Sequence, residues 1–237
     1  MKLLIIVPTY NEVENITHLI AAIFHSTPTA HVLFVDDHSQ DGTKDLIRAE
    51  MKTRPEQVFM LEREGKLGLG TAYLAGFEWG LKRDYEIFQE MDADLSHDPA
   101  MVPVFIEKAK KADVVIGSRY VEGGATKNWG VLRKAISLGG SLYARTILGI
   151  SIKDLTGGYN LWKRSVLETI DLSDVKSEGY AFQIELKYRA FLKKFELTEY
   201  PITFVDRRAG YSKMSSAIVV EAMIRVIRLY FLLGRSC

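Results

Sequence analysis

Two aspartates separated by a single residue, Asp92 and Asp94, are the first candidates for chemistry in this chain. They stand in the stretch EMDADLSHDP, directly after an apolar run. In an extended backbone, residues i and i+2 point to the same side, so the two carboxylates converge. Converging carboxylates repel one another unless a cation lies between them, and Mg²⁺ and Mn²⁺ prefer oxygen ligands. The pair therefore predicts a divalent metal site, with a solvated acidic loop as the alternative.

Two further polar stretches also follow apolar runs. The turn VDDHSQDGT contains Asp37, which we expect to contact a nucleotide, and Asp41, which we expect to cap the next helix. The stretch PTYNE closes its apolar run at Pro8, and Asn11 is the expected N-cap of a helix in which Glu14 completes a capping box. Backbone N–H groups of PTYNE could also approach a nucleotide, and the sequence leaves both roles open.

Basic residues in the second half of the chain are candidates for binding phosphate, because an arginine guanidinium matches two phosphate oxygens at once. Arg119 follows an apolar run in GSRY, and Arg133 lies at the start of a helical pattern. The stretch VDRRAGYSKM adds Arg207, Arg208 and Lys213. Spacing alone leaves open whether these cations share one site or are unrelated surface charges.

The glycine-rich stretch GKLGLGTAYLAG does not form a dinucleotide fingerprint. The pattern G-x-G-x-x-G requires a third glycine where Tyr73 stands. This disfavours a nicotinamide-dependent oxidoreductase, and the glycines instead predict a tight loop in which Lys66 is available for phosphate. The histidines form no HExxH-like cluster, and His97 is expected to be a polar loop residue that could touch a ligand.

Composition narrows the remaining classes of protein. The chain has 237 residues, of which 47% are hydrophobic and 26% charged, and this suits one globular domain. A formal net charge of +1 gives no general attraction for nucleic acid. Cys237 is the single cysteine, so no internal disulfide is expected. The opening apolar run predicts a strand rather than a signal peptide, and no apolar segment is long enough to predict a transmembrane helix.

Strands and helices alternate through the first half of the chain, as the hydrophobic periods indicate. The predicted strands are 2–8, 31–37, 58–63, 85–92 and 112–119, and the predicted helices are 11–24, 41–53, 70–82 and 98–111. This order implies βαβ units and a parallel sheet. Ligands of such sheets bind beyond the carboxyl ends of the strands, where PTYNE, VDDHSQDGT, DADLSH and GSRY all fall.

The alternation weakens after residue 120. Residues 121–130 are rich in glycine and polar residues and predict a mobile loop. Helices are expected over 132–149 and 180–194, and a strand is expected over 196–207. We expect the catalytic domain to extend over 1–214.

The last segment, 215–237, is expected to form an amphipathic helix. Glu221, Arg225 and Arg228 share one face of it, and apolar residues cover the remainder. A wide apolar surface with a cationic stripe is typical of a helix that lies in a membrane interface. A helix packed on the core of the domain is the alternative.

Six stretches in this order resemble the polyprenyl-phosphate glycosyltransferases, and most of all the dolichol-phosphate (polyprenol-phosphate) mannosyltransferases. They are IIVPTYNE, VDDHSQDGT, MDADLSHDP, GSRY, DLTGGYNLWKR and FVDRRAGYSKM, and they span nearly the whole chain. The resemblance implies an α/β GT-A fold, in which a Rossmann-like, mainly parallel sheet flanked by helices binds a nucleotide sugar. It also implies an inverting enzyme that transfers a sugar to a lipid phosphate.

The resemblance assigns expected roles to residues on the donor side. The nucleotide is expected to contact Pro8, Tyr10, Glu12, Val35, Asp37, Asp92, Ala93 and Asp94. The expected ligands of Mg²⁺ or Mn²⁺ are Asp92, Asp94 and Ser96, although many members have glutamine where Ser96 stands.

Roles on the acceptor side are implied in the same way. The acceptor phosphate is expected to contact Arg119, Arg133 and Ser137. Arg207 and Lys213 are expected to neutralise the donor diphosphate or the acceptor. The expected catalytic residues are Asp94, Arg119 and Arg133.

The partners implied are GDP-mannose, a polyprenyl or dolichyl phosphate, and the cytoplasmic surface of a membrane, with no nucleic acid. A membrane-anchoring partner subunit, or transmembrane helices after the present C-terminus, is also compatible with the resemblance. Transfer of glucose from UDP-glucose is an alternative, and so is transfer to a hydroxyl of a polysaccharide or protein. A nucleotide-binding module without catalysis is the alternative from a different class.

Overall fold

The computed structural model describes residues 1–175, 177, 179–206 and 216–234 of the chain. Nine strands form in this part, and most follow the apolar runs of the sequence. They are β1 (Leu3–Thr9), β2 (His31–Asp36), β3 (Val58–Glu62), β4 (Ile87–Glu90), β5 (Val114–Ser118), β6 (Ala125–Lys127), β7 (Asn160–Lys163), β8 (Leu197–Pro201) and β9 (Thr203–Val205).

Eight α-helices connect and cover these strands in the described residues. They are α1 (Val13–Ser26), α2 (Thr43–Thr53), α3 (Leu69–Leu81), α4 (Val102–Ala109), α5 (Val131–Leu148), α6 (Arg164–Thr169), α7 (Gly179–Leu192) and α8 (Ser216–Leu233). Short 3₁₀ turns lie at Pro99–Met101 and Leu172–Asp174.

The main sheet has the strand order β3-β2-β1-β4-β7-β5-β8 in the described residues. All of its pairings are parallel except those of β7, which is antiparallel to both β4 and β5. The mainly parallel sheet predicted from the sequence is therefore confirmed. Because β1, β2, β4 and β5 all run in the same direction, the loops after them open at one edge.

Both faces of the sheet are buried, because successive side chains of a strand point to opposite sides. On β1, Leu4 and Ile6 pack into a core that includes residues of α3, α5, α7 and α8. Leu3, Ile5 and Val7 pack into a second core with residues of α1, α2 and α4. The two cores hold the sheet rigidly and leave its carboxyl edge as the place for a site.

The stretch between β5 and α5 departs from the predicted loop. Residues Ala125–Lys127 form β6, which pairs in parallel with β9 in a separate two-stranded sheet. The strand expected over 196–207 is correspondingly divided into β8 and β9, which belong to different sheets. Gly124 lets the chain pass close to β5, since a Cβ there would lie 2.6 Å from the carbonyl oxygen of Ser118.

The start of α1 corrects the expected capping box. The helix begins at Val13, its N-cap is Glu12, and no side chain caps it through a hydrogen bond from that position. Asn11 instead has a left-handed φ of 58°, and its side-chain oxygen accepts a hydrogen bond from the backbone N–H of Gln40 at 2.9 Å. Asn11 therefore ties the loop after β1 to the loop after β2.

Asp41 stabilises two helix N-termini, although Gly42 is the N-cap residue of α2. Its carboxylate accepts from the backbone N–H of Thr43 at 3.0 Å and from that of Val13 at 3.1 Å. These hydrogen bonds and the Thr43 hydroxyl hold the pKa of Asp41 below its usual value, despite the opposing effect of partial burial. The N-cap predicted at Asp41 was therefore wrong by one residue, because Asp41 precedes Gly42 and its carboxylate instead accepts from the first residues of both α2 and α1.

Candidate active site at the carboxyl edge of the sheet

The carboxyl edge of the sheet is marked by unusual backbone conformations. Asn11, His38 and Leu95 have φ values of 58°, 64° and 60°, and they lie in the loops after β1, β2 and β4. Left-handed conformations cost energy for residues other than glycine, and they cluster at functional sites. This edge therefore combines strained backbone with the polar stretches that the sequence placed there.

The carboxylates of Asp92 and Asp94 lie in the loop after β4, with Ala93 buried between them. The Tyr73 hydroxyl of α3 donates to Oδ1 of Asp92 at 3.1 Å. The backbone N–H of Ser96 donates to Oδ1 of Asp94 at 3.1 Å. Both aspartates remain partly exposed, so a ligand can reach their oxygens.

His97 lies directly behind this pair. Its Nδ1 accepts the backbone N–H of Asp92 at 3.0 Å, which places the ring proton on Nε2, 3.8 Å from Oδ2 of Asp92. The imidazole is buried and stacks on Tyr159 with ring centroids 4.5 Å apart. Burial lowers the pKa of His97, and a ring that accepts a hydrogen bond at Nδ1 is the neutral form.

The donor atoms at this loop suit a hard divalent cation. Asp92 and Asp94 supply carboxylate oxygens, and the Ser96 hydroxyl is buried without a hydrogen-bond partner in the described structure. No group of three or more His, Cys, Asp or Glu side chains in the described residues could hold a metal ion. Two carboxylates and a hydroxyl fit Mg²⁺ or Mn²⁺, which usually complete their coordination with water and substrate phosphates.

Asp37 is already engaged by neighbouring residues. It forms an ion pair with Arg63, and its carboxylate accepts from the backbone N–H groups of Leu67 and Gly68 at 3.1 and 3.3 Å. These bonds fix the glycine-rich loop before α3. Nucleotide contact by Asp37 stays a prediction.

The other predicted nucleotide contacts line the ends of β1 and β2. Tyr10 is exposed, and the Lys66 ammonium lies 3.9 Å from the centre of its ring. The Glu12 carboxylate accepts from the side-chain amide of Asn15 at 2.7 Å. Pro8 is partly exposed, whereas the side chain of Val35 is fully buried. The loop with Lys66 thus lies against the residue that follows β1.

Arg119 is held at the end of β5 by a buried ion pair. Its Nε and Nη2 donate to the two carboxylate oxygens of Asp154, each at 2.7 Å, and Nη2 also donates to Thr156 at 2.9 Å. Burial alone would raise the pKa of Asp154, but the positive charge and hydrogen bonds of Arg119 lower this pKa below its usual value. The plane of the guanidinium is therefore fixed.

Arg133 lies in the first turn of α5 and pairs with a residue distant in sequence. Its Nη1 donates to both carboxylate oxygens of Asp206 at 2.7 Å. Its guanidinium lies 4.2 Å from the ring centre of Trp129, and that of Arg119 lies 5.3 Å from the same ring. The two predicted phosphate-binding arginines therefore flank one indole.

Phe204 of β9 links the arginines to the aspartate loop. Its ring centre lies 5.6 Å from that of His97 and 5.7 Å from the Arg119 guanidinium. The charges of Asp92, Asp94 and Arg119 all act on the pKa of His97. The carboxylate pair and the arginines, predicted from separate stretches, thus meet around a shared aromatic cluster.

Ser137 lies one turn after Arg133 on α5, so their side chains share a face of the helix. The Ser137 hydroxyl accepts a hydrogen bond from the Tyr120 hydroxyl at 2.7 Å. Arg207, Arg208 and Lys213 lie outside the described residues.

Several residues that build this site received no role from the sequence. They are Tyr73, Trp129, Asp154, Thr156, Phe204 and Asp206. Asp154 and Thr156 stand in DLTGGYNLWKR, one of the six stretches that carry the resemblance, and that was the available signal for them. Their partners lie 35 and 37 residues away, which no local pattern reveals.

The chain matches the family described as Glycosyl transferase family 2 over residues 4–171. It is 46% identical to the polyprenol monophosphomannose synthase of Mycolicibacterium smegmatis, over 95% of this chain and 85% of that protein. It is 45% identical to the undecaprenyl-phosphate mannosyltransferase of Micrococcus luteus, over 96% of this chain and 93% of that protein. The resemblance found in the six stretches is therefore confirmed.

A solved structure supports the fold. The glucosyl-3-phosphoglycerate synthase of Mycobacterium tuberculosis, in complex with Mn²⁺, UDP and glucosyl-3-phosphoglycerate, aligns with a TM-score of 0.65 at 17% identity. The alignment covers 99% of this chain and 79% of that chain. The expected α/β GT-A fold is confirmed. The chain belongs to glycosyl transferase family 2 and is a glycosyltransferase.

Proposed function

We propose that this enzyme transfers mannose from GDP-mannose to the phosphate of a polyprenyl phosphate, with inversion, giving a β-linked lipid-phosphate mannose. The observation that carries the proposal is the continuous set of contacts from Asp92 through His97 and Phe204 to Arg119 and Arg133. These contacts connect two sites. One is a carboxylate pair that suits a metal ion bound to a diphosphate, and the other is a cationic site that suits a second phosphate. The high identity to two enzymes named for polyprenyl-phosphate mannosylation supports this choice.

The acceptor phosphate is its own nucleophile. The second pKa of a phosphate monoester is near 6, so the group is largely dianionic at neutral pH. No side chain has to remove a proton from it. This agrees with the environment of His97, whose Nδ1 is already occupied by the backbone N–H of Asp92.

Asp92, Asp94 and Ser96 would hold Mg²⁺ or Mn²⁺ at the donor diphosphate. The ion supplies Lewis-acid stabilisation of the leaving nucleoside diphosphate when bound. Tyr73 and the Ser96 backbone N–H orient the two carboxylates through the hydrogen bonds described above. The contribution of the chain is thus a pre-arranged set of oxygen donors.

Arg119 and Arg133 manage the charge of the attacking phosphate. A dianion that approaches a diphosphate must be shielded, and positioned cations supply both shielding and alignment. Asp154 fixes the orientation of Arg119, and the Trp129 ring supports both guanidinium groups. Arg207 and Lys213 are further proposed cations for the donor diphosphate or the acceptor.

An apolar surface on α5 and α8 suits a lipid acceptor. The Tyr143 hydroxyl donates to the backbone carbonyl of Met223, which joins the two helices. Val226 and Leu229 of α8 are buried, so the helix packs on the domain by one face. Large apolar side chains are nevertheless exposed on both helices: Val131, Leu132, Leu138, Leu142, Met223, Ile224, Ile227, Tyr230, Phe231 and Leu232.

We infer from this surface that the enzyme binds peripherally to a membrane, with α8 as an interfacial helix of the 215–237 segment. The proposal that this is the cytoplasmic face rests on the family resemblance alone. Among the described residues, no helix is both long and apolar enough to span a bilayer. A membrane-anchoring partner subunit is compatible with this arrangement. The interfacial position would place Arg133, at the start of α5, near a phosphate that lies at the membrane surface.

The test is to incubate the enzyme with GDP-mannose, Mg²⁺ and vesicles that contain polyprenyl phosphate. We expect a β-linked mannosyl phosphate lipid. UDP-glucose in the same assay tests the alternative donor, and a polysaccharide or protein acceptor tests transfer to a hydroxyl. Failure to form a lipid-linked sugar from any nucleotide-sugar donor would overturn the proposal.

A further inference from the structure

Lys187 is a fully buried lysine that the proposed reaction does not use. It lies in the middle of α7 with 0% of its surface exposed. Its ammonium donates to three backbone carbonyls, those of Asp154 at 3.3 Å, Leu155 at 3.2 Å and Gly157 at 2.6 Å. Three carbonyls of one short loop, residues 154–157, therefore surround a single buried cation.

The geometry requires the charged form of Lys187. An ammonium has three N–H donors for three acceptors, whereas a neutral amine has only two. Burial lowers the pKa of Lys187, and the carboxylates of Asp154 and Glu90 oppose this effect. Because lysine is almost never fully buried without such compensation, its presence here calls for a specific explanation.

The same loop turns its side chains toward Arg119. The Asp154 carboxylate accepts from the Arg119 backbone N–H at 2.9 Å as well as from its guanidinium. The Thr156 hydroxyl accepts from Arg119, and the backbone N–H of Gly157 donates to Asp154 at 3.0 Å. The carbonyls of the 154–157 loop thus bind Lys187 while its side chains hold the arginine.

We propose that Lys187 is a positioning residue for the acceptor phosphate: its ammonium sets the shape of the 154–157 loop, and the loop orients Arg119. The inference rests on the proposed function, in which Arg119 contacts that phosphate. Lys187 does not touch substrate. It acts through Asp154 and Thr156, on the side of Arg119 that faces the protein interior.

An apolar side chain of similar length would fill the same space but could not replace this contact. The carbonyls of Asp154 and Leu155 would lose the donor that Lys187 provides. Gly157 would keep one partner, since its carbonyl also accepts from the Asn160 side chain at 3.2 Å. The first two residues of the loop would then lose their carbonyl contacts and could shift, while the backbone N–H of Asp154 keeps its hydrogen bond to the Glu199 carboxylate at 2.9 Å.

The first test compares Lys187→Met with Leu186→Ala in steady-state kinetics. Leu186 is the adjacent, fully buried residue of α7, so its truncation reports on destabilisation of the helix alone. We expect Lys187→Met to raise KM for polyprenyl phosphate about tenfold and to change KM for GDP-mannose less than about twofold. Leu186→Ala should change neither constant selectively.

Circular dichroism checks that each variant is folded. Where Lys187→Met does not fold, Lys187→Gln replaces it, because the side-chain amide keeps two N–H donors for the carbonyls. It should show the same selective change with a smaller rise. An unchanged KM for the acceptor, or an equal rise for donor and acceptor in the folded variant, would overturn the inference.

A double-mutant cycle with Arg119→Lys separates this inference from the proposed function. If Lys187 acts through Arg119, adding Lys187→Met to Arg119→Lys should raise the acceptor KM no further. Additive effects would show that Lys187 acts by another route and would refute the inference alone. If Arg119→Lys itself leaves the acceptor KM unchanged, the role of Arg119 in the proposed function fails instead.

Discussion

The donor and acceptor sides of the site are built in opposite ways. The side chain of Asp92 is 30% exposed. Its carboxylate accepts a hydrogen bond from the Tyr73 hydroxyl and lies 3.8 Å from Nε2 of His97. The side chain of Arg119 is 6% exposed and is paired with a carboxylate that is 0% exposed. The donor side keeps oxygens accessible for an ion, whereas the acceptor side fixes its cation in advance. Substitutions on the donor side should therefore cost activity, and those on the acceptor side should cost activity and stability.

The largest expected effect is that of Asp94→Asn. Loss of one carboxylate from the proposed metal site should lower kcat/KM on the order of 10³-fold, because the charge on the leaving diphosphate loses its stabilisation. Calorimetric titration with GDP-mannose and Mn²⁺ should show that metal-dependent donor binding is lost. Survival of metal-dependent binding and turnover would show that the aspartates are not a metal site.

Asp98→Asn is the matched control for this substitution. Asp98 belongs to the same acidic stretch, but its carboxylate accepts from the backbone N–H of Ala100 and caps the 3₁₀ turn that begins at Pro99. We expect nearly unchanged kinetics. Both variants should keep the free energy of unfolding within about 1 kcal/mol of the parent, because exposed carboxylates contribute little to stability.

Asp154→Asn tests the expectation that a substitution on the acceptor side costs stability as well as activity. It leaves the buried Arg119 guanidinium without its carboxylate, and breaking a buried ion pair costs about 3–5 kcal/mol. Urea unfolding measures this loss, and KM for polyprenyl phosphate should rise in the same variant. Equal stability of the Asp94 and Asp154 variants would remove the distinction drawn between the two sides.

Acid should affect the Arg119–Asp154 pair in a defined direction. The pKa of Asp154 is lowered in the folded protein, so below the ordinary carboxyl pKa the unfolded chain binds a proton that the folded chain does not. The contribution of the pair is complete above that pH and is lost as the pH falls through the lowered value. As the pH is lowered from about 5 to about 3, the urea concentration at the midpoint of unfolding should fall more steeply for the parent than for Asp154→Asn.

The donor side could be predicted from sequence because its information is local. Strands β1 and β2 follow continuous apolar runs, and β4 is a short buried strand in which Ile87 and Phe88 precede Gln89 and Glu90. The rule for parallel sheets places the loops that follow these strands at one edge. The spacing of Asp92 and Asp94 then suffices to suggest two converging carboxylates. The N-caps predicted at Asn11 and Asp41 were wrong, because the N-cap residues are Glu12 and Gly42. The left-handed turn at Asn11 depends on contacts with the β2 loop, which no local pattern reveals.

The acceptor side depends on contacts that cross the fold. The Asn160 amide donates to Glu90, 70 residues away, and so joins β7 to β4 in the buried interior. Burial raises the pKa of Glu90. Strand β7 is only four residues long and begins with the polar Asn160, so its sequence gives a weak strand pattern. This strand was not predicted. From the sequence, a lysine in a helix is expected to face solvent, and nothing near Lys187 in the chain indicates otherwise. Its burial depends on acceptors that only the folded 154–157 loop supplies.

The smallest predicted effect tests how firmly the donor side is held. Tyr73→Phe removes the hydroxyl that donates to Asp92 and keeps the buried ring, so only about 1 kcal/mol of orienting interaction is lost. We expect the concentration of Mn²⁺ for half-maximal activity to rise several-fold, while KM for polyprenyl phosphate stays constant. Metal-dependent binding of GDP-mannose by calorimetry provides the readout without turnover. A change in the acceptor KM instead would mean that the donor loop is coupled to Arg119 through His97, and that the two sides are not independent.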